Sequence, residues 1–223
     1  TPNIVPNGTV AGALAQSAPV TSVSQFVTNT TNTPVQAQYT VTPITGSCAG
    51  NNFIINLTVN PATALSSNLT PAAICSNTSF SYVPTSNTPS TATFNWTRAV
   101  VTGINNPAAS GTNSLNEVLV NNTSTPINVT YVYTLATTAG CTNSQNITVT
   151  VNPIPALTSV ANAPDICSGN TFNYFPTSSV AGTSFNWTRT LQSFINNGAA
   201  TGTNNPAEVL VSNSIVQVPV VYT

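Results

Sequence analysis

The sequence predicts an all-β chain of tandem two-sheet sandwiches in a linear array. Three observations carry that expectation: a pattern of ninety-odd residues recurs, short runs alternate polar and apolar residues, and turn-forming residues punctuate the chain throughout. Repetition is the strongest of the three. Ile74-Cys75-Ser76-Asn77-Thr78-Ser79-Phe80-Ser81-Tyr82 returns as Ile166-Cys167-Ser168-Gly169-Asn170-Thr171-Phe172-Asn173-Tyr174, and Phe94-Asn95-Trp96-Thr97-Arg98 as Phe185-Asn186-Trp187-Thr188-Arg189. Glu117-Val118-Leu119-Val120 matches Glu208-Val209-Leu210-Val211, Val59-Asn60-Pro61 matches Val151-Asn152-Pro153, and Tyr39 aligns with Tyr131. These anchors divide the chain into residues 1–61, the C-terminal part of a first repeat, 62–153, a complete repeat, and 154–223, the N-terminal part of a third. Both ends fall inside a repeat, which predicts a window on a longer array. The rival reading, chains that complete one another's folds, is disfavoured because the two outer pieces together overshoot one repeat.

Within the complete repeat, Thr78 to Val83, Thr93 to Arg98, Glu117 to Val120, Ile127 to Leu135 and Gln145 to Val151 alternate in the way half-buried strands do. Pro, Gly, Asn and Ser clusters separate them, and no apolar stripe of helical period is long enough to form a helix. Strands spaced in this way over one repeat describe a seven-strand, immunoglobulin-like sandwich. The links Asn60-Pro61-Ala62 and Asn152-Pro153-Ile154-Pro155 are short and stiffened by proline, so successive sandwiches are expected to form a semi-rigid rod.

Composition excludes several classes of function. Only 2% of the 223 residues are charged, against about a quarter in an ordinary globular protein. The whole inventory is Arg98, Arg189, Glu117, Glu208 and Asp165. With a net charge of −1 there is no basic patch for nucleic acid or an anionic membrane surface. No apolar run reaches the roughly 18–20 residues that span a bilayer, so no direct membrane insertion is expected. Thr1-Pro2-Asn3 carries no basic leader, and any export signal or anchor is expected outside this chain. Without His or Lys, and with carboxylates one repeat apart, acid–base chemistry has almost no material, so neither an enzyme nor a cofactor is expected. Solubility must rest on Thr, Asn, Ser and Gln, and the near absence of Lys and Arg leaves few sites for trypsin-like proteases.

The candidate sites follow from the same repetition. Trp96 and Trp187 sit in alternating Phe-Asn-Trp-Thr-Arg runs where such sandwiches bury a core aromatic; the competing reading is an exposed platform for sugar rings. Arg98 with Glu117 and Arg189 with Glu208 recur at one spacing in a chain nearly devoid of charge, which predicts a structural ion pair across strands in each repeat. The matching position in the first piece is Gln25. Cys48 and Cys141 precede a final strand and Cys75 and Cys167 an early one. With no His and no Cys-x-x-Cys they are disulfide candidates rather than metal ligands. Their pairing is open: Cys75 to Cys141 is the simplest count, yet those turns lie at opposite ends of an immunoglobulin-like strand order, which favours staples between consecutive repeats. Asn-x-Ser/Thr triplets, Asn7 among them, are as frequent as an Asn- and Thr-rich composition makes them. Three carboxylates are too few to imply a calcium site.

The segments Ile-Cys-Ser-Gly, Phe-Asn-Trp-Thr-Arg, Tyr-x-Tyr-x-Leu followed by Gly-Cys-Thr, and Thr-Val-Thr-Val-Asn-Pro resemble the PKD-like repeats of giant surface proteins of Bacteroidota. The resemblance implies a structural or adhesive segment at the cell surface, exported by the type IX secretion route, in an adhesin, a gliding adhesin or a filament shaft. Its partners would be neighbouring repeats of the same protein, self-association into fibres, or a polysaccharide or cell-surface ligand. A module binding carbohydrate or another surface through exposed aromatics is the alternative.

Overall fold

A computed structural model describes residues 2–5, 10–15, 22–88 and 92–223. The triplet at Asn7 lies outside them. The described chain is all-β and forms two compact units, Thr1–Val120 with Ile127–Val151, and Asn121–Pro126 with Asn152–Thr223. No helix long and apolar enough to cross a membrane occurs among the described residues.

The first unit opens with β1 (Pro2–Val5), β2 (Val10–Ala11), β3 (Thr28–Asn29), β4 (Val35–Val41), β5 (Ile44–Thr45), β6 (Cys48–Ala49) and β7 (Phe53–Val59). The strands β1-β4-β7 form an antiparallel sheet, while β2 with β3 and β5 with β6 form two-residue ribbons. A small core of Val10, Val35 and Ala37, flanked by Val27, Tyr39 and Val59, lies beneath it.

The complete repeat follows as β8 (Ile74–Cys75), β9 (Thr78–Tyr82), β10 (Ala92–Arg98), β11 (Ala109–Thr112), β12 (Leu115–Leu119), β13 (Ile127–Thr137) and β14 (Thr142–Asn152). One sheet runs in the order β11-β10-β13-β14-β8, and β12 pairs with β9 in the other. Alternation decides which side chains enter the core between them. Along β13, Val129, Tyr131, Tyr133 and Leu135 are buried, and along β14 so are Ile147, Val149 and Val151. The second sheet contributes Phe80, Tyr82, Leu115 and Leu119, and Trp96 of β10 completes one continuous cluster. Each of these side chains contributes about 1.5–3 kcal/mol by leaving water.

Apart from the exposed Val132, the opposite face of β13 and β14 carries polar, uncharged pairs. Register partners Thr130 and Thr148 meet at 3.2 Å, Thr134 and Ser144 at 3.1 Å, and Asn128 and Thr150 at 2.8 Å. This hydroxyl and amide ladder is how a chain with 2% charged residues hydrates its sheets. A second polar group is internal: the buried hydroxyls of Thr63, Ser86 and Thr88 satisfy one another at 2.9–3.1 Å.

The segment leading into β8 runs alongside β14 in the same direction. Asn143 Nδ2 donates to the Thr63 carbonyl at 2.8 Å, the Leu65 amide donates to Gln145 Oε1 at 2.5 Å, and the Thr148 amide donates to the Leu69 carbonyl at 3.1 Å. Numbers rise together on both sides, so Thr63 lies near the start of β14 and Cys75 near its end.

The second unit contains β15 (Thr171–Asn173), β16 (Asn186–Arg189), β17 (Ala200–Thr203) and β18 (Ala207–Val209). β15 pairs with β18 in the manner of β9 with β12, and β16 with β17 in the manner of β10 with β11. Thr188 and Thr223 exchange two backbone hydrogen bonds of 2.8 Å. The expected runs of the complete repeat reappear as β9, β10, β12, β13 and β14; β8 and β11 are additional, one being two residues long and the other four residues interrupted by Gly111.

Candidate functional site

Arg98, at the end of β10, and Glu117, in the middle of β12, belong to different sheets, and both project into the space between them. Nε of Arg98 donates to Oε2 of Glu117 at 2.9 Å and Nη2 to Oε1 at 3.0 Å, a two-pronged pair in which the guanidinium side chain is 1% exposed. Tyr131 of β13 donates its hydroxyl to the same Oε2 at 2.7 Å. Nη2 also donates to the Pro107 carbonyl at 2.6 Å, and Nη1 donates to the Ala99 carbonyl at 3.3 Å. A buried cation is tolerated only when paired and hydrogen-bonded in this way.

The arrangement recurs in the second unit. Arg189 meets Glu208 at 2.8 and 3.0 Å, Tyr222 donates to Glu208 Oε2 at 2.6 Å, and the Gly198 carbonyl takes the place of Pro107 at 2.6 Å. Here Nη1 of Arg189 is buried without a partner among the described residues. In the first piece Gln25 does the corresponding work without charge: it accepts from the Leu14 amide at 3.0 Å, donates to the Leu14 carbonyl at 2.6 Å, and accepts the Tyr39 hydroxyl at 3.1 Å.

The electrostatics are those of a structural brace. Burial opposes the charge on Glu117, but hydrogen bonds from Arg98 and Tyr131 and the Arg98 charge outweigh it and hold the carboxyl below the usual Glu range. Glu208 is lowered first by its bond to Arg189. Burial, then the bond to the adjacent Glu, pushes the Tyr131 and Tyr222 hydroxyls well above the ordinary tyrosine value. A carboxylate receiving three donors and a phenol held neutral perform no proton transfer near neutral pH.

Trp96 is buried at 8% exposure and Trp187 is half-buried. Each indole packs edge-on against the tyrosine of its cluster, with Trp96 5.8 Å from Tyr131 and Trp187 5.5 Å from Tyr222. Each also lies flat over the glycine opposite it in register, Gly111 or Gly202, where an added Cβ would stand 2.7 or 2.6 Å from the ring. The four disulfide candidates are free thiols, Cys48, Cys75 and Cys167 exposed and Cys141 partly so. Cys141 immediately precedes β14 and Cys75 lies near its far end, about 30 Å away at strand rise, which excludes a bond between them. No cluster of three metal-ligating side chains occurs among the described residues.

The tyrosine hydroxyls, the Pro107 and Gly198 carbonyls and the two glycines were not singled out in the sequence. Their signal was present, because Tyr131 and Tyr222, and likewise Gly111 and Gly202, recur in register with the Arg and Glu, and Tyr39 in register with Gln25.

Comparison with known proteins agrees with this geometry. The pattern of a PKD-like domain matches residues 1–63 and, a second time, residues 72–155. No curated protein matches the chain. Two matches that together span more than half of the chain, over a β-sandwich braced alike in successive repeats, show that it belongs to the PKD-like domain family.

Proposed function

We propose that the chain is a stretch of the shaft of an extracellular bacterial surface adhesin or filament, a spacer that carries other parts away from the cell. The observation that supports this most is the fate of its charged groups. Four of the five are consumed inside the repeats as Arg98–Glu117 and Arg189–Glu208, and the outer faces of the strands carry neutral hydroxyls and amides beside exposed aliphatic side chains such as Val118 and Val132. Such a repeat is built to persist and to adjoin its neighbours, with stability summed over units and interfaces. Export by the type IX route and a place in a Bacteroidota adhesin or gliding adhesin extend the proposal along the resemblance described above. Ligand capture through the repeat tryptophans is the weaker reading, since Trp96 faces the core.

Small-angle X-ray scattering tests the shaft. A single globule of this length has a radius of gyration of about 17 Å, whereas proline-stiffened repeats in line give about twice that. A value near the globular one rejects a rod.

A further inference from the structure

At Asn197 the second unit shares its geometry with the complete repeat but not its chemistry. The Asn197 carboxamide closes one edge of β18: Nδ2 donates to the Val209 carbonyl at 2.8 Å, and Oδ1 accepts from the Val211 amide at 2.9 Å. Asn106 does the same for β12, donating to the Val118 carbonyl at 2.8 Å and accepting from the Val120 amide at 3.0 Å. Both asparagines are half-buried, so the setting belongs to the repeat itself. The residue that follows differs: Asn106 precedes Pro107, whereas Asn197 precedes Gly198.

That one residue decides whether the side chain can react with the backbone. Asparagine is a labile residue because the nitrogen of the next peptide bond can attack its Cγ. Glycine supplies a nitrogen with a hydrogen to give up and no Cβ to crowd the approach. A proline nitrogen carries no hydrogen and cannot close the ring. Asn-Gly occurs in the chain at Asn7, outside the described residues, and at Asn197. Gly198 is exposed, so a brief local opening of the loop is enough to free the carboxamide from β18.

We propose that Asn197 is a site of spontaneous, irreversible deamidation that loosens its own repeat with age. The Gly198 nitrogen bonds to Cγ of Asn197, the Cγ–Nδ2 bond breaks, and Nδ2 leaves as ammonia with the hydrogen from the Gly198 nitrogen. Water then cleaves one of the two C–N bonds of the succinimide ring. The product is aspartate where the original backbone is restored, and isoaspartate where the chain runs on through Cγ. Aspartate loses the donor to Val209 and sets a carboxylate against that carbonyl, two acceptors face to face. Isoaspartate lengthens the backbone by one carbon ahead of Gly198, whose carbonyl accepts from Nη2 of Arg189 at 2.6 Å. That guanidinium is buried and its Nη1 already lacks a partner among the described residues, so drawing the carbonyl away weakens the brace with Glu208. The Arg98 brace is spared, because Pro107 supplies the same carbonyl at 2.6 Å. The site stands apart from the shaft reading and neither requires nor supports it.

The test is prolonged incubation of the 223-residue chain in warm, mildly alkaline buffer, followed by peptide mass spectrometry and thermal melting. The peptide holding Asn197 is expected to convert to aspartate and isoaspartate with release of ammonia, while the peptide holding Asn106 stays unchanged. Gly198→Pro, which reproduces the Asn106-Pro107 pair, is expected to keep Asn197 intact and to hold its melting temperature through the incubation, whereas that of the parent falls. Asn197→Asp, one product made in advance, is expected to melt below the fresh parent. The proposal is overturned if Asn197 converts no faster than Asn106, if Gly198→Pro ages as the parent does, or if Asn197→Asp melts with the parent.

Discussion

Tyr131 and Arg98 converge on one atom: the phenol hydroxyl at 2.7 Å and the guanidinium Nε at 2.9 Å both donate to Oε2 of Glu117. The three side chains come from three strands in two sheets, so the cluster ties the layers together at one point.

Removing one member leaves the others buried without a counterpart. Glu117→Ala is expected to destabilise the complete repeat by about 3–5 kcal/mol, because the Arg98 charge is then stranded. The double replacement Arg98→Met with Glu117→Leu is expected to fall within about 1–2 kcal/mol of the parent, since apolar side chains of similar volume remove the charge and its desolvation together. Urea denaturation of both variants separates a brace that fixes geometry from one that supplies net stability.

Acid is expected to weaken the fold over a defined window. The carboxyls of Glu117 and Glu208 are both held below the ordinary Glu value in the folded chain. Their contribution is therefore complete above the unfolded pKa of about 4.3 and is lost as pH falls through the lower folded values. The chain has no His and no Lys, so the denaturation midpoint is expected to stay level from about pH 5 to 8 and to drop only below about pH 4. A pronounced slope near pH 6.5 would contradict this. At the alkaline end the sign reverses: the raised Tyr131 and Tyr222 hydroxyls remove stability once the unfolded phenols ionise, above about pH 10.

The glycine under each indole is a packing requirement. An added Cβ at position 111 would meet the Trp96 ring at 2.7 Å, and the ring, wedged against Tyr131, has little room to retreat. Gly111→Ala is expected to cost about 1–3 kcal/mol, with a shift in Trp96 emission that reports the displaced ring. An unchanged melting curve and spectrum would show that the ring moves freely.

The two tryptophans are expected to differ toward solvent. With Trp187 replaced by Phe, the remaining Trp96, 8% exposed, should be shielded from iodide. With Trp96 replaced, the half-buried Trp187 should be quenched more strongly. Equal quenching constants would refute the difference in burial.

The four thiols are free, three of them exposed. The reduced native chain is expected to react with a thiol reagent at Cys48, Cys75 and Cys167 before Cys141, and mild oxidation is expected to yield no bridge between Cys75 and Cys141. Peptide mapping that finds such a bridge would overturn the placement of these residues at opposite ends of β14.

Much of this architecture could be read from the residues because strand alternation and repetition reinforce one another. In β13, Tyr131, Tyr133 and Leu135 alternate with Thr130, Val132 and Thr134, and the same tyrosine recurs in each piece. The Arg98 and Glu117 pair was legible from scarcity, since few other charges compete for either partner. The third member was not: a tyrosine in an alternating strand reads as core, and only the fold shows its hydroxyl reaching another sheet. β8 and β11 were hidden for local reasons, one being two residues long and the other passing through Gly111, where a missing side chain makes room for an indole.

The parallel run of residues 63–75 beside β14 bears on how a repeat would fail under load. The chain enters near one end of that strand and leaves at the other, so tension applied through the flanking links would slide the two segments past each other. Bonds at Thr63, Leu65 and Leu69 would then carry the strain together instead of opening one after another. A domain connected in this way resists up to a threshold and yields abruptly, a behaviour suited to tethers that are pulled.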